Sequence, residues 1–507
     1  MPPRASNIPI PGSHRKIWPD SRHADAVSGT DDIHLTAWLR PKRGGAIDLQ
    51  RVEALGSEPP LERAYAARGI LADETGADPA DVALLRAYCE SFGLTIGQSH
   101  WRSVVVNGSL ERLIQAFGAT VAIFEDDGGR RFRHRSEALH APPEVSAVLL
   151  GVFGLHQWPR SRRIPALNRH ATPLQARDVA ARYDFPESDG RGQTIAVLQM
   201  RGMFQTSDFD QCMKAQGLAP EPPIVKAVDG ATVAHAKATL KDLEATLDVQ
   251  IIASLVPAAR IVVYEAPNDE RGFLDAVRKA VFDEELAPSV LSISYGWPEH
   301  LWTPAALDIL NDLLAVAALA GVSVFCSSGD NGAELDYDGK PHVLAPASSS
   351  FAMGCGATVI GDDASQEQAW ENTGGGFSER FGIPGWQDRT AAAAQHYEMA
   401  PGRGVPDVAA QQSPGYYVVM DGTELAMGGT SAVAPVWSAL AARINQRLGA
   451  PIGFFLPILY RQFAPPVTGA VVGGGNGRFN AGEGWNPCTG LGVPIGKAIE
   501  RALRAPR

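Results

Sequence analysis

The chain has 507 residues, 45% of them hydrophobic and 20% charged, with 52 glycines, 37 prolines and a formal net charge of −11. One hydrophobic core does not fill that length, so more than one domain is expected. The acidic balance excludes nucleic acid as the main partner, no run reaches the roughly 20 apolar residues that cross a bilayer, and five scattered cysteines without a CxxC pair make neither a zinc site nor a disulfide framework.

Residues 1–25, polar and proline-rich, read as a disordered tail, and no apolar stretch in them reads as a secretory signal. From residue 26 to 156, IHLTAWLR, DPADVALLRAYCESFGLTI, WRSVVVNG and SLERLIQAFGATVAIFE alternate strand and helix character, the pattern of a compact α+β domain. Residues 157–173, QWPRSRRIPALNRHATP, hold four arginines before His170, three prolines and few apolar side chains. They read as an exposed linker, or more sharply as a processing site.

From 174 to 507 the pattern becomes α/β. TIAVLQM, RIVVYEAP, SVLSISYG and VSVFCSSGD are apolar enough to be buried on both faces, and TPAALDILNDLLAVAALAG between the last two has helical spacing ending at Gly321. Such alternation builds a parallel sheet with helices on both faces.

Three stretches carry chemistry. In GGTSAVAPVWSALAARINQRLG, residues 428–449, two glycines and a threonine make a tight turn and Ser431 opens an amphipathic helix, with Pro435 near its first turn. Free backbone N–H groups and the helix dipole there suit an oxyanion; a plain N-cap is the commoner role of such a serine. A nucleophilic serine needs a base, yet His170, His235, His300, His342 and His396 all lack the His-Gly-Thr-His setting of subtilisins. The helix predicted over 237–259 offers Glu244 and Asp248 four residues apart, beside an apolar stripe of Leu240, Leu243, Leu247 and Ile251. A solvated acidic face is the plain alternative, but the apolar continuation IIASLVP carries the helix into the core. A buried pair of this kind holds one proton between its members. In SSGDNG, Asp330 is either a turn residue or, if it faces Ser431 and is protonated, a hydrogen-bond donor to an oxyanion.

In this order these blocks resemble the sedolisin family of serine-carboxyl peptidases, especially its kumamolisin-like members. VVVNGSLERLIQAFGA and LLGVFGL lie before the linker; EATLDVQ, IVVYEAPNDERGFLDAV, SISYGWPE, TGGGFSERFGIPGWQ, GGTSAVAP and GWNPCTGLG follow it. The resemblance implies a subtilisin-like peptidase domain behind a ferredoxin-like activation prodomain that inhibits it, and a secreted, monomeric endopeptidase working in acid on polypeptides. It assigns Ser431 as nucleophile, Glu244 as general base and acid, Asp248 as its proton-sharing partner and Asp330 as oxyanion acid, with Ser294, Tyr295 and Gly296 lining the substrate. It also implies calcium near the C-terminus. There AVVGGGNGRFNAGEGWNPCTG places Ala470 and Asn486 at the two expected aspartates, leaving Val471, Gly482 and Gly484 as a degenerate loop for which no metal is expected. Gln199 likewise stands where relatives carry an acid. A catalytically weakened, peptide-binding relative is the alternative, which retention of all four catalytic residues disfavours.

Overall fold

A computed structural model describes residues 7–15, 21–126, 128–157, 166–168 (backbone only), 172–200, 202, 204–228, 243–333, 338–360, 366–388, 390–461 and 466–504. In chain order the N-terminal part contains β1 (Ile8–Pro9), β2 (Ser21–Asp25), β3 (Asp32–Leu39), α1 (Pro79–Glu90), β4 (Thr95–His100), β5 (Ser103–Ser109), α2 (Leu110–Phe117), β6 (Thr120–Asp126), β7 (Arg131–Ser136) and β8 (Leu149–Phe153). Asp78 caps α1 by accepting from the Ala80 N–H at 2.8 Å, with Pro79 opening the first turn. The sheet runs β4-β5-β3-β8, antiparallel throughout, which is the ferredoxin-like order. A second sheet, β2-β6-β7, stands beside it.

Of the expected tail at 1–25, the described residues 7–15 and 21–25 are tied down and correct that reading. β1 pairs with His140–Ala141, Ile10 is buried, Arg15 forms an ion pair with Glu270, and β2 pairs with β6. Buried Ile10, the pairing of Ile8–Pro9 with His140–Ala141 and one well-placed guanidinium tie this segment down. Of the predicted processing linker, residues 158–165 and 169–171 lie outside the described residues.

The C-terminal part is built on a nine-stranded sheet. Its elements are β9 (Ala166–Asn168), β10 (Thr194–Met200), β11 (Ile224–Ala227), α3 (Leu243–Leu255), β12 (Arg260–Ala266), α4 (Glu270–Val281), β13 (Val290–Ile293), α5 (Pro304–Leu319), β14 (Ser323–Ser327), β15 (Met353–Ile360), β16 (Val408–Gln411), β17 (Tyr416–Met420), β18 (Thr423–Gly428) and α6 (Thr430–Leu448); β9, β18 and β17 form a separate three-stranded sheet, and short strands at Glu367–Ala369 and Gly473–Gly474 complete the nine among the described residues. The parallel portion runs β11-β12-β10-β13-β14-β15-β16. Its central strands are buried end to end because helices cover both faces, α3 packing with α6 and α4 with α5. Thr303 caps α5, and Gly321 (φ +78°) lies just past its end, as its sequence suggests.

The N-terminal sheet packs on α4 and α5, and strand alternation divides β3 between two cores. Leu35, Ala37 and Leu39 join the N-terminal core, while Trp38 joins the main core with Phe153. Between them Thr36 Oγ1 donates to Asp275 on α4 at 2.7 Å. Arg102 reaches Asp312 on α5 at 2.6 Å, and Arg63 donates to the carbonyl oxygens of Ile452 and Phe454 at 2.6 and 2.8 Å. All five cysteines are buried free thiols, matching their reading as small hydrophobes rather than a framework.

Candidate active site

The site forms where α3, α6 and the ends of β13 and β14 meet. β18 feeds Gly428 and Gly429 into α6, and Gly429 is the cap, with φ +105°. A Cβ there would lie 2.6 Å from Asp330 Oδ2, so only glycine fits. Ser431 is therefore the second helical residue and not an N-cap, with 6% of its surface exposed. Pro435 sits inside the helix rather than in its first turn.

Glu244 and Asp248 stand one turn apart on α3, a helix buried on nearly every side; they are 8% and 0% exposed. Leu243, Leu247 and Ile251 are buried beside them, while Leu240 lies outside the described residues. The Glu244 carboxyl lies close enough to the Ser431 hydroxyl for that side chain to favour its charged form. Asp248 Oδ1 accepts from Ser294 Oγ at 2.8 Å, and that hydroxyl also lies 3.2 Å from the Ser431 carbonyl oxygen. Ser431 Oγ in turn lies 3.4 Å from the Ser294 carbonyl oxygen. Among the described residues, Glu244 Oε1 and Asp248 Oδ2 have no hydrogen-bond partner. Burial pushes both carboxyl groups well above the usual range; the nearby Ser431 hydroxyl partly opposes this for Glu244, and the Glu244 charge adds to it for Asp248.

Asp330 follows β14 and faces the helix start. Its Oδ1 accepts from the Thr430 N–H at 2.8 Å and from Thr430 Oγ1 at 2.7 Å, and its charge bears on Glu244. Sequence reasoning misses Thr430, although a hydroxyl beside the nucleophile is a signal that could have found it.

Ser294, Tyr295 and Gly296 lie past the end of β13, not within a strand. Ser294 turns its side chain inward to Asp248, so it positions the acid pair, a role its place in SISYG does not reveal. Tyr295 is buried, and its phenol is pushed up by burial and by the charges of Glu244 and Asp248. Gln199 is fully buried on β10.

In the C-terminal loop the side chain at the second expected acidic position is already engaged. Asn486 Oδ1 accepts from Cys488 N, Thr489 N and Thr489 Oγ1, leaving only its amide nitrogen facing the carbonyl oxygens of Gly482 and Gly490.

Residues 19–158 match the family described as "Pro-kumamolisin, activation domain". The chain is 36% identical to kumamolisin of Bacillus sp. (strain MN-32), over 97% of this chain and 96% of that one. It is 30% identical to human tripeptidyl-peptidase 1, over 75% and 70% of the two chains. In fold it is similar to a Pseudomonas sedolisin solved with two molecules of pseudo-iodotyrostatin, with a TM-score of 0.58 and 24% identity, over 66% of this chain and 98% of that one. A likeness to kumamolisin that runs nearly end to end, prodomain included, decides the family: the chain belongs to the sedolisin family of serine-carboxyl peptidases and carries that family's activation prodomain.

Proposed function

We propose that the chain is a self-processing endopeptidase active in acid, with Ser431 as nucleophile. The observation that carries this reading is the buried Glu244–Asp248 pair beside Ser431, with Asp248 held by the Ser294 hydroxyl, which also lies 3.2 Å from the Ser431 carbonyl oxygen. Ser431 Oγ attacks the substrate carbonyl carbon, and its proton passes to Glu244. The C=O π pair moves onto oxygen, where Asp330 donates a hydrogen bond. Glu244 then gives the proton to the departing amine, the C–N bond breaks, and an acyl-enzyme remains. Water repeats the sequence, with Glu244 again taking and returning a proton.

Acid is required by Asp330, while burial lets the Glu244–Asp248 pair keep its one proton well above the ordinary carboxylate range. Asp330 donates only as a neutral acid, and Thr430 fixes its carboxyl at the helix start through Oδ1. The Glu244–Asp248 pair works when it holds one proton and one charge, a form that burial favours over the doubly charged one. Its titration belongs to the two groups together. An acid compartment outside the cytoplasm suits this chemistry.

Support for endopeptidase action comes from β9. Its residues pair antiparallel with β18, Ala166 opposite Gly428, Leu167 opposite Met427 and Asn168 opposite Ala426. An interior stretch of the chain thus lies along the strand that leads to Ser431, and the prodomain ahead of it inhibits the enzyme until it is cut away. Main-chain pairing of this kind accepts a polypeptide without needing a free terminus.

The test is to purify precursor at neutral pH, shift it to about pH 4, and compare wild type with Ser431→Ala by mass spectrometry of a denatured protein substrate. Wild type is expected to lose its prodomain and cut internal bonds, while Ser431→Ala stays intact. Products limited to N-terminal tripeptides would identify an exopeptidase. Two equally intact precursors, with no labelling by a peptide aldehyde, would leave a peptide-binding protein.

A further inference from the structure

We infer that the Asn486 side-chain amide does in the C-terminal loop what a calcium ion does in the family, closing the loop without metal. This rests on the loop's own hydrogen bonds and is independent of the catalytic assignment. Asn486 is 5% exposed. Its Oδ1 is filled by three donors, Cys488 N at 3.0 Å, Thr489 N at 2.9 Å and Thr489 Oγ1 at 3.1 Å. Those donors fix the orientation of the amide. Nδ2 must then face inward, and it donates to Gly482 O at 3.1 Å and Gly490 O at 3.5 Å. Two carbonyl oxygens converge on one neutral donor, as oxygen ligands converge on a cation in a calcium loop.

An aspartate at this position would turn a second acceptor toward those carbonyls and would need a cation between them. The amide removes the need. The other expected acidic position agrees. Pairing of Thr468–Gly469 with Val493–Pro494 brings Ala470 beside Gly492, and its methyl side chain offers no oxygen. A second hydrogen bond, Asn486 N to Gly490 O at 3.1 Å, closes the turn through the backbone.

The experiment uses the full-length precursor carrying Ser431→Ala, so that no self-digestion intrudes. It is melted near neutral pH in excess calcium chloride or in EDTA, and its metal content is measured by plasma mass spectrometry. The two melting temperatures are expected to agree within about 1 °C, with no stoichiometric calcium. Asn486→Asp in the same background is expected to melt about 3 °C or more lower in EDTA, because a buried acceptor faces acceptors. A calcium-dependent rise of more than about 3 °C in the parent, or about one calcium per chain, overturns the inference. So does an Asn486→Asp precursor as stable in EDTA as its parent. If that variant does not accumulate, the parental melt and metal content still decide.

Discussion

Replacing Asp248 with asparagine tests the acid pair through stability, apart from catalysis. Asp248 is fully buried, one oxygen accepts from Ser294, and the other has no partner among the described residues. Burial and the neighbouring Glu244 raise its folded pKa. The folded chain therefore keeps a proton that the unfolded chain releases above about pH 4, so this group's stabilising contribution is complete below that pH and is lost as pH climbs toward the folded value. Asparagine has nearly the same shape and nothing to titrate. Each tenfold difference in proton affinity between the folded and unfolded chain corresponds to about 1.4 kcal/mol; allowing for water entry and relaxation, about 1–3 kcal/mol is expected at neutral pH. In the Ser431→Ala background, Asp248→Asn should melt with its parent at about pH 3 and about 2–6 °C above it at about pH 7. Scanning calorimetry across that range reads the difference. A gap that does not change with pH, or an asparagine variant less stable at neutral pH, would refute the reasoning.

Glu244→Gln should keep the melting temperature of the acidified precursor while lowering peptide hydrolysis by about 10³-fold or more, since the amide cannot take the Ser431 proton. Gly429→Ala puts a methyl 2.6 Å from Asp330 Oδ2 at a positive φ; turnover of a quenched fluorescent peptide should fall about 10²–10³-fold, and unchanged turnover would remove Asp330 from the mechanism. Thr36→Val removes the hydroxyl that reaches Asp275 without changing side-chain volume. Gel analysis after acidification should show its prodomain lost several-fold faster, and an unaltered rate would mean this contact does not hold the two parts together.

The pattern of apolar runs reveals the sheet because its strands are buried on both faces, so β10 and β14 read as continuous hydrophobic stretches. Glu244 and Asp248 are legible from helical spacing and the apolar run beyond them. Their proximity to Ser431 is not, since the contact spans parts of the chain far apart in sequence and only the family resemblance links them. Ser294 and Thr430 hide their roles because a hydroxyl's partner depends on tertiary packing. Residues 7–15 look like tail because composition does not show that Arg15 meets Glu270 across the two domains. Asn486 reads as the loss of an acid; its gain, two N–H donors facing carbonyls, needs coordinates.

The burial of Trp38 and Phe153 in the larger core bears on how the chain reaches its folded state. In the sheet, β10 lies between β12 and β13, both later in the chain, so its partners must be found over long loops before any contact rewards the search. The prodomain, made first and rich in local hairpins, offers α4 and α5 a finished surface on which to dock. If the proposed processing removes that template, the mature peptidase is expected to persist through its barrier to unfolding, so that its working lifetime is a rate.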